Sequence, residues 1–264
     1  MSKTLEERLK YANTALGGIA NTMTQPSGKL PAIVEEQFTT IAAFGSEVQH
    51  WQQLLAARQA ARSLLNDLVT DVVPYGATQV SFQIARLLGV QAYVSTQWAL
   101  ADQLVRMVGR IACAPNVAFN DAKPAQLVSE FLGSDRKKNT SAVLHDSIRQ
   151  TSGWPIAVSY ALRNHFVHDG GQVAGVNFFA GQTPESKFEI SKEGWKHIEK
   201  KATMYGVTSI DHHATATWPT DPCNNLLAVL DVCERELDEA LGILVGSACH
   251  TAVGHLGFLL GEDG

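Results

Sequence analysis

The chain has 264 residues, of which 45% are hydrophobic and 18% charged, and its formal net charge is -5. This length and composition suffice to bury a sizeable core, which excludes a disordered chain. The acidic balance excludes a broad basic surface that binds nucleic acid through many phosphates, although it is compatible with a small basic patch. The four cysteines form no CxxC pair, and the charged start MSKTLEERLK lacks the apolar run of a signal peptide. We therefore expect free thiols and a cytoplasmic protein.

Long helices are predicted in the first half of the chain. A short helix followed by the turn formers TQPSGK predicts an N-terminal arm over residues 1–28. Apolar residues then recur at three- and four-residue steps, which predicts a helical run over residues 31–73 with a break at Gly45. A second helical run is predicted over residues 77–114, with a bend at Gly89.

Shorter elements are predicted in the second half. Helices are expected over residues 124–132 and 141–150, on either side of the basic turn GSDRKKNTS. Pro155 opens the next helix, which carries the segment LRNHFVHDGG. Beyond the double glycine, the segments QVAGVNFF and KFEIS have the residue types of two short strands, which predicts a small β-hairpin.

The remaining residues return to helical patterns. One helix is predicted over residues 191–204, and a long one begins at Asn224 after the loop DHHATATWPTDP. Its part LGILVGSACHTAVGHLGFLL has the length of a membrane span, but an acidic turn precedes it and no basic residues flank it. We therefore expect a buried C-terminal helix and no membrane contact. The predicted fold class is all-α, a multi-helix bundle over residues 29–264 with the β-hairpin inserted after the LRNHFVHDGG helix.

The segment LRNHFVHDGG holds most of the candidate chemistry of the chain. On an ideal helix that begins at Pro155, the residues Val158, Leu162 and Phe166 form one apolar stripe that faces the core. His165 falls on the same stripe, which predicts a buried histidine that is hydrogen-bonded to a neighbour. We therefore place His165 in the core.

Arg163 and His168 lie on the flanks of this stripe and are the candidates for chemistry. Five residues separate them, which on an ideal α-helix corresponds to about 140° between their directions. For the two side chains to act together, the helix must unwind before His168, as the double glycine permits, or two chains must form one site across a two-fold axis. Asn164 lies four residues before His168, where its amide can hold the imidazole in one tautomer.

These residues have the spacing R-x4-H, with an asparagine after the arginine, at the end of a helix in an all-α chain. In this pattern the sequence resembles the HEPN superfamily, whose helical bundle would occupy mainly residues 120–264. The resemblance implies pairing as a homodimer, and many members are metal-independent endoribonucleases in toxin–antitoxin systems, phage defence or RNA processing. The toxin branch that pairs with nucleotidyltransferase antitoxins has a tyrosine two residues after the histidine. This chain has Gly170 there, so we expect it outside that branch.

The resemblance also implies a role for each motif residue. His168 would act as general base on a ribose 2′-hydroxyl or as general acid on the leaving 5′-oxygen. Arg163 would hold the phosphate and stabilise its developing charge, and Asn164 would position these groups. The expected substrate is single-stranded RNA, and no metal or cofactor is expected. A basic turn is expected either to attract the RNA backbone or to be a solvated loop, and its residues are Arg136, Lys137 and Lys138.

A metal-dependent phosphohydrolase of the HD type is a rival interpretation, because it is also all-α and uses histidine–aspartate doublets. His145 with Asp146 is one such doublet, and His168 with Asp169 is another. For the second doublet the upstream ligand would be His145. Its downstream ligand would be one of three aspartates, namely Asp211, Asp221 or Asp231.

Two further interpretations remain open. The sequence DHH at residues 211–213 is similar to a phosphoesterase signature, but the chain after it is too short for that family's large domain. We expect a loop with two exposed histidines there, and metal binding together with His197 is its alternative. The non-enzymatic interpretation is a helical dimer that serves as a binding or scaffold module. Arg163 and His168 would then belong to its interface.

Overall fold

The computed structural model describes residues 4–23, 32–69, 82–112, 154–173, 188–204, 219 and 221–261. Within these residues the secondary structure is helical, with six α-helices and one π-helical turn. The α-helices are α1 (Leu5–Met23), α2 (Ala32–Val69), α3 (Phe82–Ala112), α4 (Trp154–Arg163), α5 (Lys192–Met204) and α6 (Leu226–Gly261). The π turn, Asn164–His168, follows α4 directly. Within the described residues, the prediction of a helical protein is confirmed.

The two glycines expected to interrupt the long helices do not end them. Gly45 lies inside α2, which runs unbroken from Ala32 to Val69, so the predicted break is wrong. Gly89 lies inside the continuous α3, and the bend predicted there stays a prediction. A single glycine in a helix interior costs about 1 kcal/mol, which the packing of a helix of this length offsets.

The predicted β-hairpin falls mostly on residues 174–187, outside the described residues. The end that is described, Phe188 to Ile190, bonds to the segment before α6. The Ile190 N–H donates to the Cys223 carbonyl at 2.8 Å, and the Leu226 N–H donates to the Phe188 carbonyl at 3.2 Å. The helices predicted over residues 124–132 and 141–150 also lie outside the described residues.

The chain divides into two compact units. The first comprises Met1–Gln53, Ala101–Gly153 and Asp238–Gly264, and the second comprises Leu54–Leu100 and Trp154–Leu237. The second unit contains the LRNHFVHDGG segment and also includes parts of α2 and α3. The predicted division into an arm over residues 1–28 and a domain over residues 29–264 stays a prediction.

In the first unit, α1 begins with a capping box. The Glu7 N–H donates to Thr4 Oγ1 at 3.2 Å, and the Thr4 N–H donates to Glu7 Oε2 at 2.8 Å, which satisfies two amide groups at the helix start. Leu9 is fully buried one turn further on. Arg8 binds both carboxylate oxygens of Glu239 on α6, at 3.0 and 3.1 Å. This ion pair joins α1 to α6.

The second unit contains a buried polar cluster, which we call the Tyr93 cluster: Arg58 of α2, Tyr93 of α3 and Glu234 of α6. The Tyr93 hydroxyl donates a hydrogen bond to Glu234, and the Arg58 guanidinium lies 3.3 Å from the same carboxylate. Burial, reinforced by the Glu234 charge, raises the pKa of Tyr93 far above its usual value. The hydroxyl therefore stays a donor, and the cluster joins three helices of the unit.

Helix α4 is the centre of the second unit. All its residues except Tyr160 and Arg163 are buried. Gln97 of α3 donates to the Ser159 hydroxyl at 2.9 Å, and the Trp98 and Tyr160 rings pack edge to face at 4.9 Å. On its other side α4 contacts α5. The helix that presents the R-x4-H residues is thus held from two sides.

The C-terminal segment of suspected membrane length belongs to α6. Leu241, Leu244 and Val245 are buried in this helix, as expected for a helix that packs on a core. Among the described helices, none is both long enough and apolar enough to cross a membrane. The expected C-terminal helix is therefore confirmed.

Candidate functional site

The R-x4-H segment ends in a widened helical turn. The Asp169 N–H donates to the Asn164 carbonyl at 3.0 Å, five residues back, where an α-helix would use four. A π turn takes more residues than an α turn, so Arg163 and His168 point in closer directions than the roughly 140° of an ideal α-helix. The helix end therefore departs from α geometry before His168, which is one of the two conditions under which the two side chains could act together.

The two glycines after the π turn have different roles, one in the backbone conformation and one in packing. Gly170 has φ of 68°, a left-handed conformation that favours glycine and turns the chain back at the helix end. The Gly171 N–H then donates to the His165 carbonyl at 2.8 Å. A Cβ atom on Gly171 would stand 2.5 Å from two ring atoms of His165, so a side chain at this position would force the ring or the turn to shift.

His165 lies in the core, as its position on the apolar stripe predicts. It is 7% exposed, and its ring packs between Gly171 and Gly194, where a Cβ on Gly194 would lie 3.1 Å from Nε2. Burial and the neighbouring His197 lower its pKa, so the imidazole is neutral near pH 7. The expected hydrogen bond is not made at Nδ1, which is buried without a partner among the described residues. His165 therefore acts as a packing residue under the turn.

The three predicted catalytic residues occupy different environments. Arg163 is half-buried, and its Nη1 donates to Asn164 Oδ1 at 3.1 Å. Asn164 is buried, and its amide oxygen therefore positions the guanidinium. His168 is exposed, and in the described part of the chain no hydrogen bond joins it to Arg163 or Asn164. The basic turn formed by Arg136, Lys137 and Lys138 lies outside the described residues.

A second group of polar side chains, whose mutual contact the sequence did not indicate, includes Asp169, the residue after His168. We call it the Asp169 cluster: Asp169, His197 and Lys201. His197 Nε2 lies 3.1 Å from Asp169 Oδ2, and Lys201 Nζ donates to the same oxygen at 2.6 Å. Although partial burial acts in the opposite direction, the hydrogen bonds from Lys201 and His197 lower the pKa of the Asp169 carboxyl.

The Asp169 cluster is open to solvent. The side chains of His197, Asp169 and Lys201 are 43%, 32% and 24% exposed. His197 and Lys201 are four residues apart on α5 and thus share one face of that helix. Their spacing is visible in the segment WKHIEKK, but their contact with Asp169 depends on the packing of α5 against the π turn.

The described residues do not support a metal site of the HD type. No group of three or more histidine, cysteine, aspartate or glutamate side chains among them could hold a metal ion. Asp169 is bound by a lysine and a histidine, and Asp231 is bound by Arg62 at 2.6 Å. Asp221 accepts a hydrogen bond from the Asn224 side chain at 2.7 Å. The other proposed ligands lie outside the described residues: His145, Asp146, Asp211, His212 and His213.

Comparison with known proteins assigns no family to this geometry. No protein-family model, no curated protein and no solved structure matches the chain. The functional conclusion therefore depends on the side chains around the π turn alone.

Proposed function

We propose that the chain is a HEPN-like, metal-independent endoribonuclease that cleaves single-stranded RNA. In the proposed reaction a ribose 2′-hydroxyl attacks the adjacent phosphate. The observation that carries the proposal is the π turn, which places the arginine and the histidine of the R-x4-H pattern at one end of a firmly held helix. Cofactor-free transesterification needs such a fixed cation and an accessible imidazole.

The environments of the two side chains suit these tasks. The Arg163 guanidinium is fixed by Asn164 and keeps donors for a phosphate, because only one of its nitrogens is used in that contact. His168 is exposed, so a ribose hydroxyl can reach its ring. An imidazole exchanges protons near neutral pH, as the base or the acid of this reaction must.

A homodimer is the assembly that this site favours. Val167, next to His168, is 39% exposed although it is a large apolar residue. The resemblance to the HEPN superfamily implies such a dimer, and Val167 lies on the turn that would meet its copy in a two-fold interface. In such a dimer each phosphate would contact residues from both copies. The same observation favours the second candidate function, a helical dimer without catalysis.

An RNA cleavage assay with the full chain separates these functions. Wild-type protein, Arg163→Ala and His168→Ala are incubated with end-labelled single-stranded RNAs in the presence of EDTA. We expect the wild type to cleave and each variant to lose about 100-fold or more of the rate. His50→Ala, which removes an exposed histidine of α2, is the matched control and should cleave like the wild type. Inhibition by EDTA would instead indicate a metal enzyme, and a wild type that cleaves nothing would indicate the non-catalytic dimer.

A further inference from the structure

We infer that His197 is the second acid–base group of this site, the general acid that protonates the leaving 5′-oxygen, and that Asp169 and Lys201 position it. The inference rests on the proposed function. Transesterification moves two protons, one from the attacking 2′-hydroxyl and one to the leaving oxygen, so a site that uses His168 for the first needs a group for the second. The structure places the accessible His197 imidazole against Asp169, the residue that follows His168.

Asp169 links the two histidines. Asp169 is the next residue after His168, so their Cα atoms are about 3.8 Å apart. The Asp169 carboxylate in turn lies 3.1 Å from His197 Nε2. His197 is therefore only one side-chain contact away from the residue that follows the motif histidine.

The Asp169 cluster has the arrangement of an oriented histidine. A carboxylate that contacts one ring nitrogen fixes the rotation of the imidazole and leaves the other nitrogen to the substrate. Here Asp169 contacts Nε2, which leaves Nδ1 of His197 to exchange a proton. Lys201 holds the same carboxylate oxygen at 2.6 Å and keeps it in place.

The helix that carries His197 is itself held firmly. Trp195, Ile198 and Ala202 bury the opposite face of α5. On the near side, Gly194 packs against the His165 ring, and the His165 and His197 rings are 5.8 Å apart. The core histidine therefore sets the distance between α5 and the π turn, and with it the position of His197. Such support from packed neighbours is what a catalytic group needs.

The proton transfers of the proposed step balance. His168 takes the proton of the 2′-hydroxyl as the O2′–P bond forms, and protonated His197 gives its proton to the 5′-oxygen as the P–O5′ bond breaks. The products are a 2′,3′-cyclic phosphate and a free 5′-hydroxyl. The two histidines end in exchanged protonation states, which solvent restores.

A change of leaving group tests this assignment. The full-length wild type and His197→Gln are compared on RNA, whose leaving alkoxide needs a proton, and on ribonucleoside 3′-(4-nitrophenyl phosphates), whose leaving phenoxide does not. We expect His197→Gln to lower kcat/KM on RNA by about 100-fold and to change it on the nitrophenyl esters by less than about threefold. His168→Ala should lose activity on both, because the base is needed in either case.

The pH profile supplies the second readout. With RNA the wild type should show a bell-shaped kcat/KM profile, and His197→Gln should lose the decline on the alkaline side, where a general acid deprotonates. The charged or titratable groups that face His197 in the described residues are Asp169 and His165 from the π-turn side and Lys201 from its own helix. Asp169→Asn should lower kcat and change the alkaline side of the same pH profile. Lys200→Ala, which removes an exposed neighbour of Lys201, is the matched control and should leave both unchanged.

The outcomes separate this inference from the proposed function. Equal loss by His197→Gln on both substrates would show a structural role and overturn the inference, and so would an unchanged rate on RNA. In both cases cleavage by the wild type and its loss in His168→Ala would leave the proposed function standing. A wild type that cleaves neither substrate would overturn the proposed function, and the inference with it.

Discussion

Two polar clusters in the same unit differ in burial, and the difference separates structure from chemistry. In the Tyr93 cluster the carboxylate is half-buried and binds both partners, and those partners are buried, since the arginine side chain is 5% exposed and Tyr93 is fully buried. In the Asp169 cluster the carboxylate also binds two partners, but the histidine side chain is 43% exposed and keeps a ring nitrogen for other contacts. A closed cluster holds helices together, and an open one can exchange protons with a substrate.

Removal of Glu234 should have the largest effect on stability. Glu234→Ala leaves the buried Arg58 and Tyr93 without the carboxylate that they share. We expect a loss of about 3 kcal/mol in the free energy of unfolding, measured by urea denaturation. Glu239→Ala is the control on the same helix, because it breaks the more exposed pair with Arg8 and should cost below about 1 kcal/mol. Equal losses in the two variants would contradict the structural role of the Tyr93 cluster.

A side chain at Gly171 should have the next largest effect. In Gly171→Ala the new Cβ would lie 2.5 Å from the His165 ring and 2.7 Å from its backbone carbonyl oxygen. We expect a loss of about 1–3 kcal/mol on urea denaturation, because the ring or the turn must shift. Gly246→Ala is the matched control, because nothing lies within 4 Å of its Cβ position on α6, and it should be neutral or slightly stabilising. A Gly171→Ala protein as stable as the wild type would show that the turn is not packed on His165.

The long helices could be predicted from the sequence. Whether a glycine interrupts them could not. Apolar spacing indicated the helix over residues 31–73, and the structure has α2 from Ala32 to Val69. The break at Gly45 was wrong because a local propensity of about 1 kcal/mol is small beside the packing of a long helix.

The site could be predicted only in part, because part of its geometry depends on tertiary contacts. The apolar stripe correctly placed His165 in the core. The π turn depends on tertiary contacts, among them the hydrogen bond from Gln91 of α3 to the Phe166 carbonyl at 2.7 Å. The contact of Asp169 with α5 joins residues that are 28 and 32 positions apart, for which no local pattern exists.

Burial of His165 should make stability depend on pH. Burial and then His197 lower its pKa in the folded state, and Lys201 acts in the same direction while Asp169 opposes them. The unfolded chain therefore binds more protons below its usual pKa of about 6.5, so the stability present above that pH is lost as the pH falls. Urea midpoints between pH 5 and 8 measure this trend. His165→Asn should flatten the curve in this range, and an equally steep decline in that variant would assign the effect to other groups.

The Asp169 cluster should contribute least to stability. Asp169→Asn removes an ion pair that solvent already screens, so we expect a loss below about 1 kcal/mol on urea denaturation. Asp169→Asn should still lower the rate of RNA cleavage clearly, because the Asp169 carboxylate positions His197. A loss as large as that of Glu234→Ala would make the two clusters alike and remove the distinction between them.

The central claim is that the residues around the π turn cleave RNA through a ribose 2′-hydroxyl. Its most direct test uses two labelled single-stranded RNAs that differ only in a 2′-deoxy substitution at the mapped cleavage position, with EDTA present and product ends identified by mass spectrometry. We expect the wild type to cut the all-ribose strand to a 2′,3′-cyclic phosphate and to leave the substituted bond intact, and His168→Ala to cut neither. Cleavage at the deoxy position, or cleavage by His168→Ala at the wild-type rate, would contradict the claim.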